Sequence, residues 1–279
     1  MRVTYFGTTM LMLDDGETCL LFDCHISRPP MAKMVFGRIE TDTALADQLI
    51  DRYDMKRIAA IFISHSHHDH VLDLPYFARA AEAEVYGSES TLNVARGGKV
   101  PEDRLHLFGK EWVGIGAFRV RVISSIHSKA HWYNDDLGQN IDRPLAQPAR
   151  KKEYKEGGSY DFLVENKGRT YLIRPSFNYI KGQLNGISAD VLFLGIAGLG
   201  KADEETKRVF FAETVEKVSP KMVIPLHWDN FLKPLTKQSY LLPRFAEKTE
   251  DAMFEMAAYC GRHGIACPVV LPMTYLDLP

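Results

Sequence analysis

Apolar residues along this chain fall in short runs separated by turn-forming residues, and the runs carry two periods. Residues 2–6 and 18–23 read as strands, with Asp14-Asp15-Gly16 turning the chain between the arms of a hairpin. The segment from Cys24 to Pro30 then leaves the sheet, because Pro29-Pro30 enforces extended backbone. Thr41-Asp42 marks a helix start, and Ala44 to Tyr53 has helical spacing. Arg57 to Ile63 is a short β-branched apolar run, the signature of a buried strand, and Val71 to Ala81 returns to helix. A strand at Val85-Tyr86 and a helix around Ser90 to Ala95, broken by Gly97-Gly98, come next. Ala117 to Ser124 alternates as a half-exposed strand does, and residues 159–165 pair with 169–173 across Asn166-Lys167-Gly168. Buried strands at 190–194 and 221–225 flank an amphipathic helix over 202–218. Residues 244–263 are helical in pattern, ended by Gly264, and an apolar strand near Pro268 to Leu271 closes the chain. This alternation predicts an α/β protein, one domain over 1–279, with helices outside two facing sheets.

Residues 128–158 break the pattern. Lys129, His131, Trp132, Tyr133 and Asn134 lead into an Asn/Asp/Gly/Pro-rich stretch and then into Arg150, Lys151, Lys152 and Lys155. A stretch this long without periodicity inside a compact domain is usually functional or disordered. It is the best candidate for a lid over a substrate, with His131 and Trp132 as substrate contacts. Its basic cluster suits a phosphate or carboxylate, and so an anionic small molecule. A solvated charged loop is the bland alternative.

The chemistry concentrates in Ile61-Phe-Ile-Ser-His65-Ser-His67-His68-Asp69-His70, which follows the predicted strand at 57–63. Imidazole and carboxylate are good ligands for a borderline divalent metal such as zinc. A buried imidazole cluster without one would leave several ring nitrogens to satisfy. His65 and His67 alternate and point the same way in extended backbone, so they suit one metal. Asp69 and His70 begin to turn and face a neighbouring site; His68 is expected to point away as a packing residue. His25 and Arg28 sit on the loop that leaves the first hairpin, placed to approach the metal loop. Cys24, beside them, reads as a half-buried free thiol.

The spacing His-x-His-x-Asp-His resembles the signature of the metallo-β-lactamase fold superfamily. Ser124-Ser-Ile-His127-Ser and Pro225-Leu-His227-Trp228 are similar to its later ligand motifs, and Thr4-Tyr-Phe-Gly-Thr with Leu20-Leu-Phe-Asp23 to its opening hairpin. The branch it looks most like is that of the ascorbate-6-phosphate lactonase-like hydrolases. The resemblance implies an αββα four-layer sandwich. It implies one metal on His65, His67 and His127, and a second on Asp69, His70 and His227, with zinc first and manganese or iron as the other options. It also implies hydrolysis of a lactone, carboxylic ester, phosphodiester or amide by activated water. Asp69 would orient that water, and His227 would ligate or stabilise oxyanion charge; Asp229 would support the site from behind. One departure stands out. The superfamily usually places a Gly-Asp, whose carboxylate bridges two metals, at the end of the second strand of the later hairpin. This chain reads Arg174-Pro175-Ser176-Phe177-Asn178 there, with no acid between Arg169 and Gly186. Ser176 is a poor bridging ligand. Asn178 offers an oxygen, and Arg174 a positive charge that would repel a second cation or hold a substrate anion. A catalytically altered or non-catalytic metal-binding protein on the same scaffold is therefore the alternative.

Composition narrows the class. The chain has 279 residues, 46% hydrophobic and 25% charged, an ordinary globular balance. A net charge of -2 gives no global field to recruit nucleic acid. Cys19, Cys24, Cys260 and Cys267 form no zinc-finger or disulfide framework. No signal peptide or membrane span is evident in the sequence, so the expectation is a cytoplasmic protein acting on a small molecule, as a monomer or homo-oligomer.

Overall fold

Two sheets face each other, and their paired inner faces build the larger core. The computed structural model of the chain describes residues 1–128, 136–235 and 241–278. The first sheet holds β1 (Arg2–Gly7), β2 (Met10–Asp14), β3 (Cys19–Phe22), β4 (Ile58–Phe62), β5 (Glu84–Gly87), β6 (Leu105–Leu107) and the late strand β13 (Thr274–Asp277). Their order is β13-β1-β2-β3-β4-β5-β6, parallel from β3 to β6 and antiparallel before it. The second holds β7 (Val113–Ile115), β8 (Phe118–Ser125), β9 (Ser159–Asn166), β10 (Arg169–Arg174), β11 (Val191–Gly195) and β12 (Met222–Leu226), ordered β12-β11-β10-β9-β8-β7. Alternation along the strands splits the burial. Leu20 and Phe22 join the core shared with the second sheet, while Cys19 and Leu21 join a separate core under the helices. Phe162 of β9 meets Phe22 and Phe62 across the sheets at ring centroid distances of 5.3 and 5.9 Å.

Helices cover both outer faces, giving the αββα order. On the first sheet lie α1 (Met31–Phe36), α2 (Thr43–Arg52), α3 (His68–Val71), α4 (Leu74–Ala81) and α5 (Glu89–Gly97). On the second lie α6 (Glu204–Phe211), which runs on through a π-helical turn at Ala212–Glu216, and α7 (Thr249–Arg262). Caps set several starts: Asp42 accepts from the Leu45 amide, Ser88 from Thr91 and Asp203 from Thr206. None of the described helices is long and apolar enough to cross a membrane.

The structure departs from the sequence reading in four places. An extra strand, β2, lies between the two arms expected of the first hairpin. Met10-Leu-Met-Leu13 is buried on both faces, so its run shows no alternation, and the chain turns first at Gly7-Thr8-Thr9. The closing strand is β13, not Pro268 to Leu271. Val269 and Leu271 remain half exposed, and proline on either side removes ladder donors. α7 begins at Thr249 rather than at 244. The expected helix over 71–81 divides into α3 and α4, because the Asp73 amide turns away to donate to the Cys24 carbonyl at 3.1 Å. Within the 128–158 stretch, residues 136–158 run as a strap over α5 and the metal loop. Leu145 donates to the Asn93 carbonyl at 2.9 Å and Ser66 to the Glu156 carbonyl at 2.8 Å. His131 and Trp132 lie outside the described residues.

Phe162→Ala empties the contact between the sheets and is expected to cost about 3–5 kcal/mol. Urea unfolding checks this; a loss under about 1 kcal/mol would mean the sheets repack without that ring.

Candidate metal centre

The candidate ligands gather at one end of both sheets. β4 ends at Phe62, and the chain crosses to α3 through Ser64 to His67, with His67 as the residue before the helix. His127 follows the end of β8, and His227 follows β12. The structure brings together His65, His67 and His127 as one group and Asp69, His70 and His227 as another, each with candidate ligand atoms within 4.8 Å of one another. The first three rings form a near-equilateral triangle. Their centroids are 4.9, 4.8 and 4.8 Å apart, with interplanar angles of 84°, 74° and 85°. His65 and His70, whose centroids are 3.7 Å apart, join the two groups.

Hydrogen bonds fix which nitrogen each ring offers. A carboxylate or carbonyl oxygen can only accept, so the ring nitrogen facing it must carry the proton. His70 Nδ1 donates to Asp23 Oδ2 at 2.8 Å, and His67 Nε2 to Asp136 Oδ1 at 3.2 Å. His127 Nδ1 donates to the Ser128 carbonyl at 3.0 Å. Ser64 Oγ donates to Asp23 Oδ2 at 2.9 Å and is thereby left to accept from His65 Nδ1 at 3.1 Å. In the tautomer these bonds select, the other nitrogen of each ring is the one that holds a lone pair. That of His65, Nε2, is buried without a protein partner. Four imidazoles that can each present a lone pair inward, one of them at a nitrogen orphaned in a buried position, are the donor set a divalent metal needs.

Asp23 is the hub behind this arrangement. It also accepts from the Ser64 amide at 2.7 Å and the Thr9 hydroxyl at 2.5 Å. Asp73 does the same for the neighbouring loop, accepting from the amides of Ile26 and Ser27 and the Ser27 hydroxyl. Asp229 accepts from the Thr8 amide and the Tyr5 hydroxyl. Sequence reasoning placed Asp229 but not the roles of Asp23, Asp73 or Asp136. Asp23 carried a signal, an acid directly after an apolar strand. Asp136 carried none, since it lies in the stretch without periodicity.

Other expected residues take quieter places. Arg174 is not offered to a substrate: it is buried, its Nε lies 3.0 Å from Asp161 Oδ2, and it donates to the Asn178 carbonyl. Its charge is directed at Asp161 inside the fold. Asn178 is likewise occupied, donating to the His127 carbonyl and accepting from the Tyr179 amide, so it holds the ligand loop in place of a substrate. His25 is buried, with Nδ1 3.1 Å from Thr8 Oγ1. His68 is buried beside it, with ring centroids 6.1 Å apart, and stands outside both ligand groups. Cys24 is fully buried, and burial pushes its thiol up. Ser176 is half-buried, and among the described residues the only carboxylate in either group is Asp69.

Burial dominates the electrostatics. It drives the His65 and His25 imidazoles well below their ordinary range, helped at His65 by the neighbouring rings. Burial alone would raise the Asp69 carboxyl, but His70, His68 and His227 together outweigh it and hold Asp69 well below the usual carboxylate range.

Comparison with known proteins agrees with the fold. Residues 18–228 match the family profile described as the beta-lactamase superfamily domain. A protein of Heliobacterium modesticaldum named a UPF0173 metal-dependent hydrolase is 24% identical over 234 residues, covering 83% of this chain and 84% of that protein. The metallo-beta-lactamase fold protein YhfI of Bacillus subtilis superposes with a TM-score of 0.60 at 14% identity, covering 99% of both chains. Zn(2+)-bound PqqB of Methylobacterium extorquens superposes with a TM-score of 0.58 at 12% identity over the full length of both.

In metal-free protein the cluster makes stability depend on pH. Burial lowers the His68 imidazole to about 4 and the His127 imidazole to about 3, against 6.5 for an unperturbed ring. Both are neutral in the fold where the unfolded chain takes up protons. Their contribution is complete above the unfolded value and is lost as pH falls through the folded values. Metal-free protein is expected to lose about 1 kcal/mol per buried histidine per pH unit on going from about pH 6 to about pH 5. Urea unfolding measures this, and stability that rises on acidification would contradict it.

Proposed function

The chain belongs to the beta-lactamase superfamily and has the metallo-β-lactamase fold, and on that premise we propose that it is a metal-dependent hydrolase of an ester-like bond in a small molecule. The observation that carries the proposal is the set of rings whose outer nitrogens are committed to oxygen acceptors and whose inner lone pairs converge. His65, His67 and His127 would hold one divalent ion, and Asp69, His70 and His227 another. Zinc suits the nitrogen-rich first group best, with manganese or iron as substitutes. Such an ion supplies a Lewis acid and draws the pKa of a coordinated water from 15.7 to about 7.

The chain's own residues do the rest. Asp69 and His227, like His127, keep a partly exposed edge, with Asp69 Oδ2 3.7 Å from His227 Nε2 and 3.8 Å from His70 Nε2. Held ionised, Asp69 is fit to accept a hydrogen bond from the attacking water and to orient it toward the substrate. His227 Nε2 faces the same space; where it holds no second ion, it would instead stabilise the oxygen that becomes negative. With no second carboxylate between the groups, two dications would repel with little screening, so the all-histidine group fills first and the Asp69 group binds more weakly. Lactones, carboxylic esters, phosphodiesters and amides all present the polarisable oxygen this site requires. The missing carboxylate also supports a second reading, a metal-binding protein that no longer turns substrate over.

A panel of a lactone, a chromogenic carboxylic ester and a bis(p-nitrophenyl) phosphodiester separates the two readings. Zinc-loaded protein is expected to hydrolyse at least one, and His65→Ala or chelation to lower that rate by about 100-fold or more. No turnover by protein of verified metal content would favour the non-catalytic reading.

A further inference from the structure

We propose that Arg28 is a positioning residue that fixes His227 in the second ligand group, acting through Asp229 and the Gly7-Thr8 turn. The inference rests on the reading of His227 as a metal ligand and adds what holds it there.

His227 stands in a backbone conformation that non-glycine residues rarely adopt, with φ of 58°. So does Thr8, with φ of 53°, after Gly7 at 103°. These segments are tied to each other: the His227 amide donates to the Thr8 carbonyl at 2.6 Å. Strained backbone of this kind persists only where its surroundings over-determine it. The constraint here is a buried ion pair. Arg28 Nη2 donates to Asp229 Oδ2 at 2.7 Å, with the two side chains 4% and 1% exposed. The other carboxylate oxygen of Asp229 accepts from the Thr8 amide at 2.7 Å and the Tyr5 hydroxyl at 2.9 Å. Asp229 thus grips the amide of the residue whose carbonyl grips His227.

Arginine chemistry suits the task better than lysine. While Nη2 meets the carboxylate, Nη1 donates to the carbonyls of Asn230 at 3.1 Å and Lys233 at 3.4 Å. One planar fork therefore ties the loop after His227 to the segment that follows β3. Gly7 makes room for it: a Cβ there would fall 2.3 Å from Arg28 Nη2 and 2.8 Å from Asp229 Oδ2. Without the guanidinium, the Asp229 carboxylate is buried and unpaired, the grip on Thr8 loosens, and His227 is free to relax toward an ordinary φ. The first ligand group is held by Ser64, Asp136 and Ser128 instead, and does not use this clamp.

The test compares wild type, Arg28→Lys, Arg28→Met and His227→Ala by hydrogen exchange of the residue 227 amide in metal-free protein and by calorimetric zinc titration. In Arg28→Met the His227 amide is expected to exchange about tenfold faster, and the second zinc equivalent to bind about tenfold more weakly, the size of loss seen when outer partners of metal ligands are removed. The first equivalent stays within about twofold, as sites without shared partners do. Arg28→Lys, which keeps the charge and loses the fork, falls between and serves if the Met variant does not fold. Unchanged exchange and second-site affinity would overturn the proposal. So would equal weakening of both equivalents with a matching loss of thermal stability, which marks a merely structural pair. If wild type takes up one equivalent that His227→Ala leaves intact, the ligand reading of His227 fails in the unsubstituted protein, and this inference falls with it.

Discussion

An imidazole can offer a metal one lone pair only if its other nitrogen keeps the proton, and the site depends on that constraint. His67, His70 and His127 each face an oxygen that can only accept, and His65 faces a hydroxyl already committed to a carboxylate. The tautomers are therefore set by the protein before any ion arrives. The same bonds fix ring orientation, which is why three rings can stand as a triangle with sides of 4.8–4.9 Å. Loss of one outer partner would leave the ligand present but pointing with the wrong nitrogen.

The sheets serve this constraint by bringing strand ends together. Asp23 follows β3, the His65–His70 loop follows β4, His127 follows β8 and His227 follows β12. Each is a point where regular backbone ends and the chain can be bent by local hydrogen bonds. Asp23, Thr8 and His227 all adopt positive φ there, at 55°, 53° and 58°. Cores of close-packed side chains on either side of the first sheet resist the relaxation of these three residues.

Much of this was legible in the sequence, and what was hidden has a physical reason. β8 and the helix α2 announced themselves by period and by a cap, and β4, buried on both faces, by its β-branched apolar run. β2 did not, because both of its faces are buried and its Met and Leu residues give neither alternation nor a β-branched run. The six candidate histidine and aspartate ligands could be singled out because metal chemistry restricts residue type and spacing. Their oxygen partners could not, because Asp136 meets His67 across 69 positions and any acid or carbonyl would serve. Arg174 and Asn178 show the opposite: polar residues beside a site invite a substrate role, and in the fold Arg174 stands 3.0 Å from Asp161 while Asn178 donates to the His127 carbonyl.

Zinc bound per chain after reconstitution, for wild type, His127→Ala and His227→Ala, tests the paired-group account most directly. The account expects about two equivalents in wild type and about one in each variant, with the surviving ion held tightly in His227→Ala and weakly in His127→Ala. Reconstituted wild type that takes up no metal, or His227→Ala that loses all of it while His127→Ala keeps its full complement, would contradict it.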